Sequence, residues 1–242
     1  MTRGDGRAKD QLRDIKITRD FVPSAAASAF IEWGRTRVLV TASIEDRVPP
    51  FLVNSGHGWI SAEYNMLPGS TPFRKARDGR RGGHVDGRTI EIQRLIGRSL
   101  RSVVNTKGMG QRTVWIDCDV IEADAGTRTA SITGAWIVLY DCLHGMREKK
   151  LFKKDPLTDG LAAVSVAIVD GKAILDPCYE EDAAADADLN FVMSHKGGIV
   201  EIQGTGEKAP IPKERFEECY ALAEKGIAEI TSLQNRSLIR LG

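Results

Sequence analysis

The chain has 242 residues, of which 42% are apolar and 28% charged, with a formal net charge of +1. That length buries a proper core, as one domain or two small ones, and the composition is that of an ordinary soluble globular protein. No run of about 18 apolar residues occurs, which excludes a membrane-spanning helix, and none of the cysteines forms a Cys-x-x-Cys pair that would suggest zinc or a redox dithiol.

The polar N-terminus lacks an apolar signal region, so the expected location is cytoplasmic. The four histidines are scattered without metal-ligand spacing. Charge is unevenly placed. Arg74, Lys75, Arg77, Arg80, Arg81, Arg88, Arg94, Arg98 and Arg101 crowd one tract, whereas residues 176–188 hold Asp and Glu with no Lys or Arg. A basic and an acidic tract in a near-neutral chain suggest a polyanionic ligand and a metal site, or simply complementary surfaces.

In chain order, residues 26–33 and 37–45 read as a hairpin turning at Gly34 to Thr36. His57 to Met66 is a third strand. Pro68 to Gly87 is aperiodic and rich in Gly, Pro and Arg; a loop of about twenty residues in a compact domain is functional or disordered. A helix follows from Arg88 to about Val104, with Ile92, Leu95, Ile96, Leu100 and Val103 in one stripe. The strand Thr113 to Ile121 places Val114, Ile116, Cys118 and Val120 on one face, so Cys118 reads as core. A helix over 128–146 carries Ile132, Trp136, Leu139 and Leu143 at spacings of three and four.

Lys149 to Asp159 is a charged connector with Pro156. The expected organisation is a single compact domain over 1–242, with subregions of about 10–148 and 158–234. Beyond the connector, Ala162–Val169 and Lys172–Leu175 form a hairpin at Asp170-Gly171. Asp188–Ser194 and Ile199–Gln203 form another. Gly204 to Lys208 reads as a turn, since it lacks the Gly-Lys-Ser/Thr ending of a phosphate loop. The last helix, Lys213 to Gln234, starts with Pro212 near its first position. Both halves run strands first, then helix. With the hairpins, that pattern predicts an α+β fold.

Two helix starts stand out. Gly126-Thr127-Arg128-Thr129 and Asp86-Gly87-Arg88-Thr89 each place an Arg in the first turn, where the helix dipole disfavours a cation by roughly 0.3–1 kcal/mol. A bound phosphate would reverse that sign, and two Arg forks would clamp it from two sides. The plainer alternative is a surface pair between Arg128 and Asp124. Asp182, Asp186 and Asp188 precede or begin a strand. Asp186, Asp188 and Asn190 share a strand face if the strand begins early, with Asp182 folding back from the preceding loop. Two carboxylates are the usual protein share of a magnesium site; the alternative is a solvated acidic loop.

The chain closely resembles the ribonuclease PH family over nearly its whole length. The motifs that carry this are Asp5-Gly-Arg7, Val48-Pro-Pro-Phe51, Gly58-Trp59, Ala62-Glu-Tyr64, Gly87-Arg-Thr89, Glu91 to Arg98, Asp117-Cys-Asp-Val-Ile121, Ala125 to Gly134, Glu181-Asp182, Asp188-Leu-Asn190 and Glu201 to Thr205. The resemblance implies a ribosomal protein S5 domain 2-like α+β fold, a homohexamer built as a trimer of dimers, and dependence on Mg2+. It implies phosphorolytic 3′-to-5′ exoribonuclease activity on the 3′ end of tRNA precursors, with inorganic phosphate as co-substrate and nucleoside diphosphates as products. It assigns phosphate binding to Arg88, Gly126, Thr127 and Arg128, and catalysis or metal binding to Asp182 and Asp188. It assigns tRNA contact to Arg74, Arg77, Arg80 and Arg81. Departures are Ala183, Leu189 and Gly206, where Ser, Met and Ala are expected. The competing readings are a non-catalytic RNA-binding ring subunit of exosome type and a metal-dependent hydrolase that releases nucleoside monophosphates.

Overall fold

The computed structural model describes residues 3–78, 85–152 and 154–239. Among the described residues there are two sheets and four α-helices. In the first half, β1 (Ile15–Arg19), β2 (Ala27–Trp33), β3 (Thr36–Glu45) and β5 (Thr113–Glu122) run antiparallel, and β4 (Trp59–Met66) joins β5 in parallel, giving the order β1-β2-β3-β5-β4. In the second half β6 (Leu161–Val169), β7 (Lys172–Leu175), β8 (Ala187–Ser194) and β9 (Ile199–Gly206) form an antiparallel sheet in the order β7-β6-β8-β9. The α+β expectation is met.

Helix α1 (Gly87–Ser102) packs on β4, and α4 (Lys213–Leu238) packs on β6 and β7. Helix α2 (Thr127–Glu148) is the element both sheets share, packing on β2 and β3 on one side and on β6 on the other. The sequence predicts a single stripe on it. In the fold Ala135, Ile137 and Val138 are fully buried too, because a helix between two sheets has no solvent face over its middle. Gly134 permits the close approach, since a Cβ there would sit 2.7 Å from Ile31 Cγ1. One continuous core includes β2, β3, β5, α1, α2, β6, β8 and α4, and Cys118 lies within it.

Several expectations need correction. β1 is a strand that the sequence reading lacks; five residues with Ile15 and Ile17 alternating against Lys16 and Thr18 are too short a signal. Residues Tyr179–Ala184, expected as loop, form a short helix α3. β8 begins at Ala187, so Asp186 precedes it and does not share the Asp188 face. Gly204 to Gly206, expected as a turn, complete β9, paired to Leu189, Asp188 and Ala187. α4 starts at Lys213 as expected, with Pro212 as its N-cap, and runs on past Gln234 to Leu238. Among the described residues no helix is long and apolar enough to cross a membrane.

Candidate active site

Strand β5 ends at Glu122 and the chain must reverse into α2 within four residues. It does so through two consecutive left-handed residues, Ala125 (φ 57°) and Gly126 (φ 63°). Gly126 is the N-cap of α2 and supplies no side-chain acceptor, so the first-turn amides of a long buried helix are left without a side-chain cap. The turn is held from behind. Arg13 Nη1 donates to the Asp124 carbonyl, and Arg13 forks onto Asp176 with Nη2 to Oδ1 at 2.6 Å and Nε to Oδ2 at 3.1 Å. The Trp33 indole donates to the same Asp176 Oδ2 at 2.9 Å.

Asp124 does not pair with Arg128. It is buried and accepts from Arg35 and, at 3.0 Å, from the Tyr179 amide that opens α3. Burial alone would raise its carboxyl; Arg35, the Tyr179 amide and Arg13 outweigh that and hold it below the ordinary carboxylate range. Arg128 instead reaches across to the second sheet. Its Nη1 donates to Gln203 Oε1 at 2.9 Å and lies 3.5 Å from Glu91 Oε1 of α1. The partner named by the local spacing is thus replaced by two that are distant in sequence.

Arg88 stands in the first turn of α1, whose N-cap Asp86 accepts the Arg88 amide at 3.3 Å. The Arg88 side chain is exposed and has no ion pair among the described residues. Asp182 comes from α3 and Asp188 from β8. Arg88, Gly126, Thr127, Arg128, Asp182 and Asp188 all line one cavity of about 230 Å³, together with Met66, Thr71, Tyr179, Ser165 and Asn190. A larger hollow of about 610 Å³ lies beside the N-terminal segment, but Arg13, Arg35 and Asp124 on its walls are already paired with protein groups. The smaller cavity brings Arg88 and Arg128 together with Asp182 and Asp188, and neither acid is in an ion pair among the described residues.

Its two carboxyls are both pushed above the ordinary range. Burial and then the neighbouring Asp188 raise Asp182, against a weaker pull from Arg88 and Arg128. Burial raises Asp188, opposed by Arg128 and by the Asn190 amide, whose Nδ2 donates to Asp188 Oδ2 at 3.0 Å. Asp186 faces elsewhere, accepting from Lys208 Nζ at 2.8 Å and the Gly171 amide at 3.1 Å. Among the described residues no cluster of three or more His, Cys, Asp or Glu could hold a metal. The pair Asp182 and Asp188 fits a hard cation that takes one or two carboxylates and completes its shell with water and phosphate oxygens.

Arg74 and Arg77 are exposed and lie outside the cavity lining; Arg80 and Arg81 fall outside the described residues. Sequence alone gives no role to Ser165, nor to Tyr64 and Gln203, which it places only within the family motifs Ala62-Glu-Tyr64 and Glu201 to Thr205. Tyr64 is buried beneath α2 and its hydroxyl donates to Thr127 Oγ1 at 2.9 Å. Ser165 is a lone hydroxyl in an otherwise apolar strand, which was the available signal, since a buried polar group requires a partner.

Residues 11–143 match the model for domain 1 of the 3′ exoribonuclease family, and residues 160–226 match the model for its domain 2. The chain belongs to this family, that of ribonuclease PH. Solved structures agree on the fold. A chain of the Archaeoglobus fulgidus exosome with RNA bound to the active site superposes with a TM-score of 0.77 at 22% identity, covering 97% of this chain and 92% of that one. Rice (Oryza sativa) Rrp46 gives 0.78 at 18% identity over 98% of this chain and 100% of that one. An archaeal exosome core chain gives 0.73 at 21%, over 96% and 89%. The arrangement is that of the ribosomal protein S5 domain 2-like fold.

Proposed function

We propose that the protein is a cytoplasmic phosphorolytic exoribonuclease that trims the 3′ end of tRNA precursors and works as a homohexamer. The observation that carries this reading is the cavity in which Arg88, Arg128 and the open first turn of α2 face Asp182 and Asp188. Inorganic phosphate is already a nucleophile at neutral pH, so it needs neutralisation and aim rather than a general base. Arg88 and Arg128 would supply both, with Thr127 and the α2 amides fixing the remaining oxygens. An oxygen of that phosphate attacks the phosphorus of the last phosphodiester. The bond from phosphorus to the 3′ oxygen of the penultimate nucleotide breaks, and a nucleoside diphosphate leaves.

The departing 3′ oxygen must gain a proton, and a carboxyl raised by burial and by a like charge is suited to donate one. Alternatively, Asp182 and Asp188 would both be ionised and hold Mg2+, which when bound supplies neutralisation of charge on the reacting phosphoryl oxygens. Exposed Arg74 and Arg77, with Arg80 and Arg81, would contact the body of the tRNA. The reverse reaction, addition of a nucleotide from a diphosphate, uses the same groups.

The resemblance in fold to rice Rrp46 and to archaeal exosome chains supports the ring, and also a second reading, a non-catalytic RNA-binding subunit. That reading gives no reason for both arginines and both acids to converge. Incubating a tRNA precursor with and without inorganic phosphate separates the readings. Nucleoside diphosphates released only with phosphate are expected. Monophosphates would indicate a hydrolase, and RNA binding without any release would indicate the ring subunit.

A further inference from the structure

Three strands of the second sheet each carry a polar residue at the same level. Ser165 on β6 lies opposite Asn190 on β8, and Asn190 lies opposite Gln203 on β9. Directly opposed residues share a face of the sheet, so the three form one rung beneath the cavity. The rung is internally bonded at one end, with Ser165 Oγ donating to Asn190 Oδ1 at 2.8 Å, which turns the Asn190 amide nitrogen toward Asp188. At the other end Gln203 accepts from Arg128.

The orientation of the Gln203 amide is imposed. Glu201, two residues earlier and therefore on the same face, takes the Gln203 Nε2–H at 3.0 Å and is itself forked by Arg98 of α1. A carboxylate can only accept, so the amide presents its nitrogen to Glu201 and its oxygen to Arg128. Reversed, it would set donors against the guanidinium. Gln203 differs from Glu91, the other group near Arg128, in being neutral. It can fix the guanidinium without cancelling the charge that an anion needs, whereas Glu91, half exposed at 3.5 Å, partly cancels it.

Resting on the reading of Arg128 as a phosphate ligand, we propose that Gln203 is a positioning residue for Arg128, aimed by the Arg98–Glu201 pair. It orders the guanidinium before inorganic phosphate arrives, so that binding does not bear the entropic cost of ordering a long side chain. The residue touches no reacting atom. Its effect runs through Arg128.

The test compares the parent with Gln203→Met, which keeps the size and removes the acceptor, and with Gln203→Thr, a strand-favouring residue too short to reach. Binding of inorganic phosphate is measured by calorimetry, and phosphorolysis is measured over a range of phosphate concentrations. Removing a hydrogen bond to a charged group should weaken phosphate binding and raise KM for phosphate on the order of tenfold. The kcat at saturating phosphate and the affinity for RNA should stay near the parent's, a split that general structural damage would not give. Parent-like phosphate affinity in either folded variant overturns the proposal, as does an equal fall in kcat and RNA binding. A parent that binds no phosphate would instead defeat the reading of the site itself.

Discussion

Arg128 is the residue on which the two interpretations of the cavity differ most. It stands in the first turn of a helix, where its charge is opposed by the dipole; among the described residues it contacts one neutral acceptor and one half-exposed carboxylate, with Asp182 and Asp188 in the same cavity. Replacing it with Ala should cost little folding stability, within about 1 kcal/mol either way, because a pair at 3.5 Å with a half-exposed carboxylate contributes little. Phosphate-dependent activity should fall by orders of magnitude, and phosphate should raise the melting temperature of the parent more than that of the variant. Near-parent activity in Arg128→Ala would falsify the phosphate clamp. Glu91 makes the opposite prediction. It shares Arg128 with any incoming anion, so Glu91→Gln should tighten phosphate binding by about two- to fivefold, as read by calorimetry. Weaker binding in that variant would mean that Glu91 orders Arg128 rather than competing for it.

At the level of elements, the segment before α1 and the β8–β9 pair behave differently. Arg74 and Arg77 are exposed, and no periodic apolar residues accompany them to give them a packing role. Arg74→Ala with Arg77→Ala should weaken tRNA binding far more than cleavage of a short oligonucleotide. Each arginine–phosphate interaction removed should flatten the slope of log affinity against log salt by roughly 0.7–0.9. An unchanged slope would return this segment to a solvated surface. Elements with strong periodicity, such as the β2–β3 hairpin, α1, β5 and the hairpin turning at Asp170-Gly171, were legible in the sequence, since a buried face imposes period two or period 3.6. α3 was not, because six residues rich in Glu and Asp carry no apolar stripe and owe their helix to capping by Cys178 and Glu181. The arginines and acids of the cavity were legible from helix starts and from the family motifs. The roles of their supports were not: Gln203 and Tyr64 stand in family motifs and Ser165 in none, but all three meet the site through strand register and sheet packing, which local spacing does not encode.

For the whole molecule, one titratable group away from the cavity bears on stability. His195 packs edge-on to Trp136 with ring centroids 4.5 Å apart, and its Nε2 faces Gln234 Oε1 at 2.8 Å. Gln234 spends its own amide on the carbonyls of Thr133 and Leu161, so His195 is the donor to the Gln234 oxygen. Burial lowers its pKa from the usual 6.5, with Gln234 and Asp159 opposing. The folded state therefore binds fewer protons than the unfolded one just below that value. This contribution is complete above pH 6.5 and is lost as pH falls toward the depressed folded value. Chemical denaturation between about pH 7 and pH 5 should show a shallower decline of stability in His195→Gln than in the parent. Light scattering should give a hexamer for the parent, and a stable active monomer would remove the ring from the proposal.

The Arg13–Asp176 fork has a consequence for how the protein is made. Arg13 leaves the ribosome early, yet Asp176, which it forks and which also takes the Trp33 indole, is synthesised much later. Until then the first half holds an indole N–H with no acceptor and a guanidinium that has only Asp124 to pair with, and burying them so would be costly. The turn at Ala125 and Gly126, braced by that same arginine, lacks the Asp176 end of its brace until residue 176 has been made. The full bracing of this turn is thus tied to the arrival of the second sheet, and a chain arrested before residue 176 would lack it.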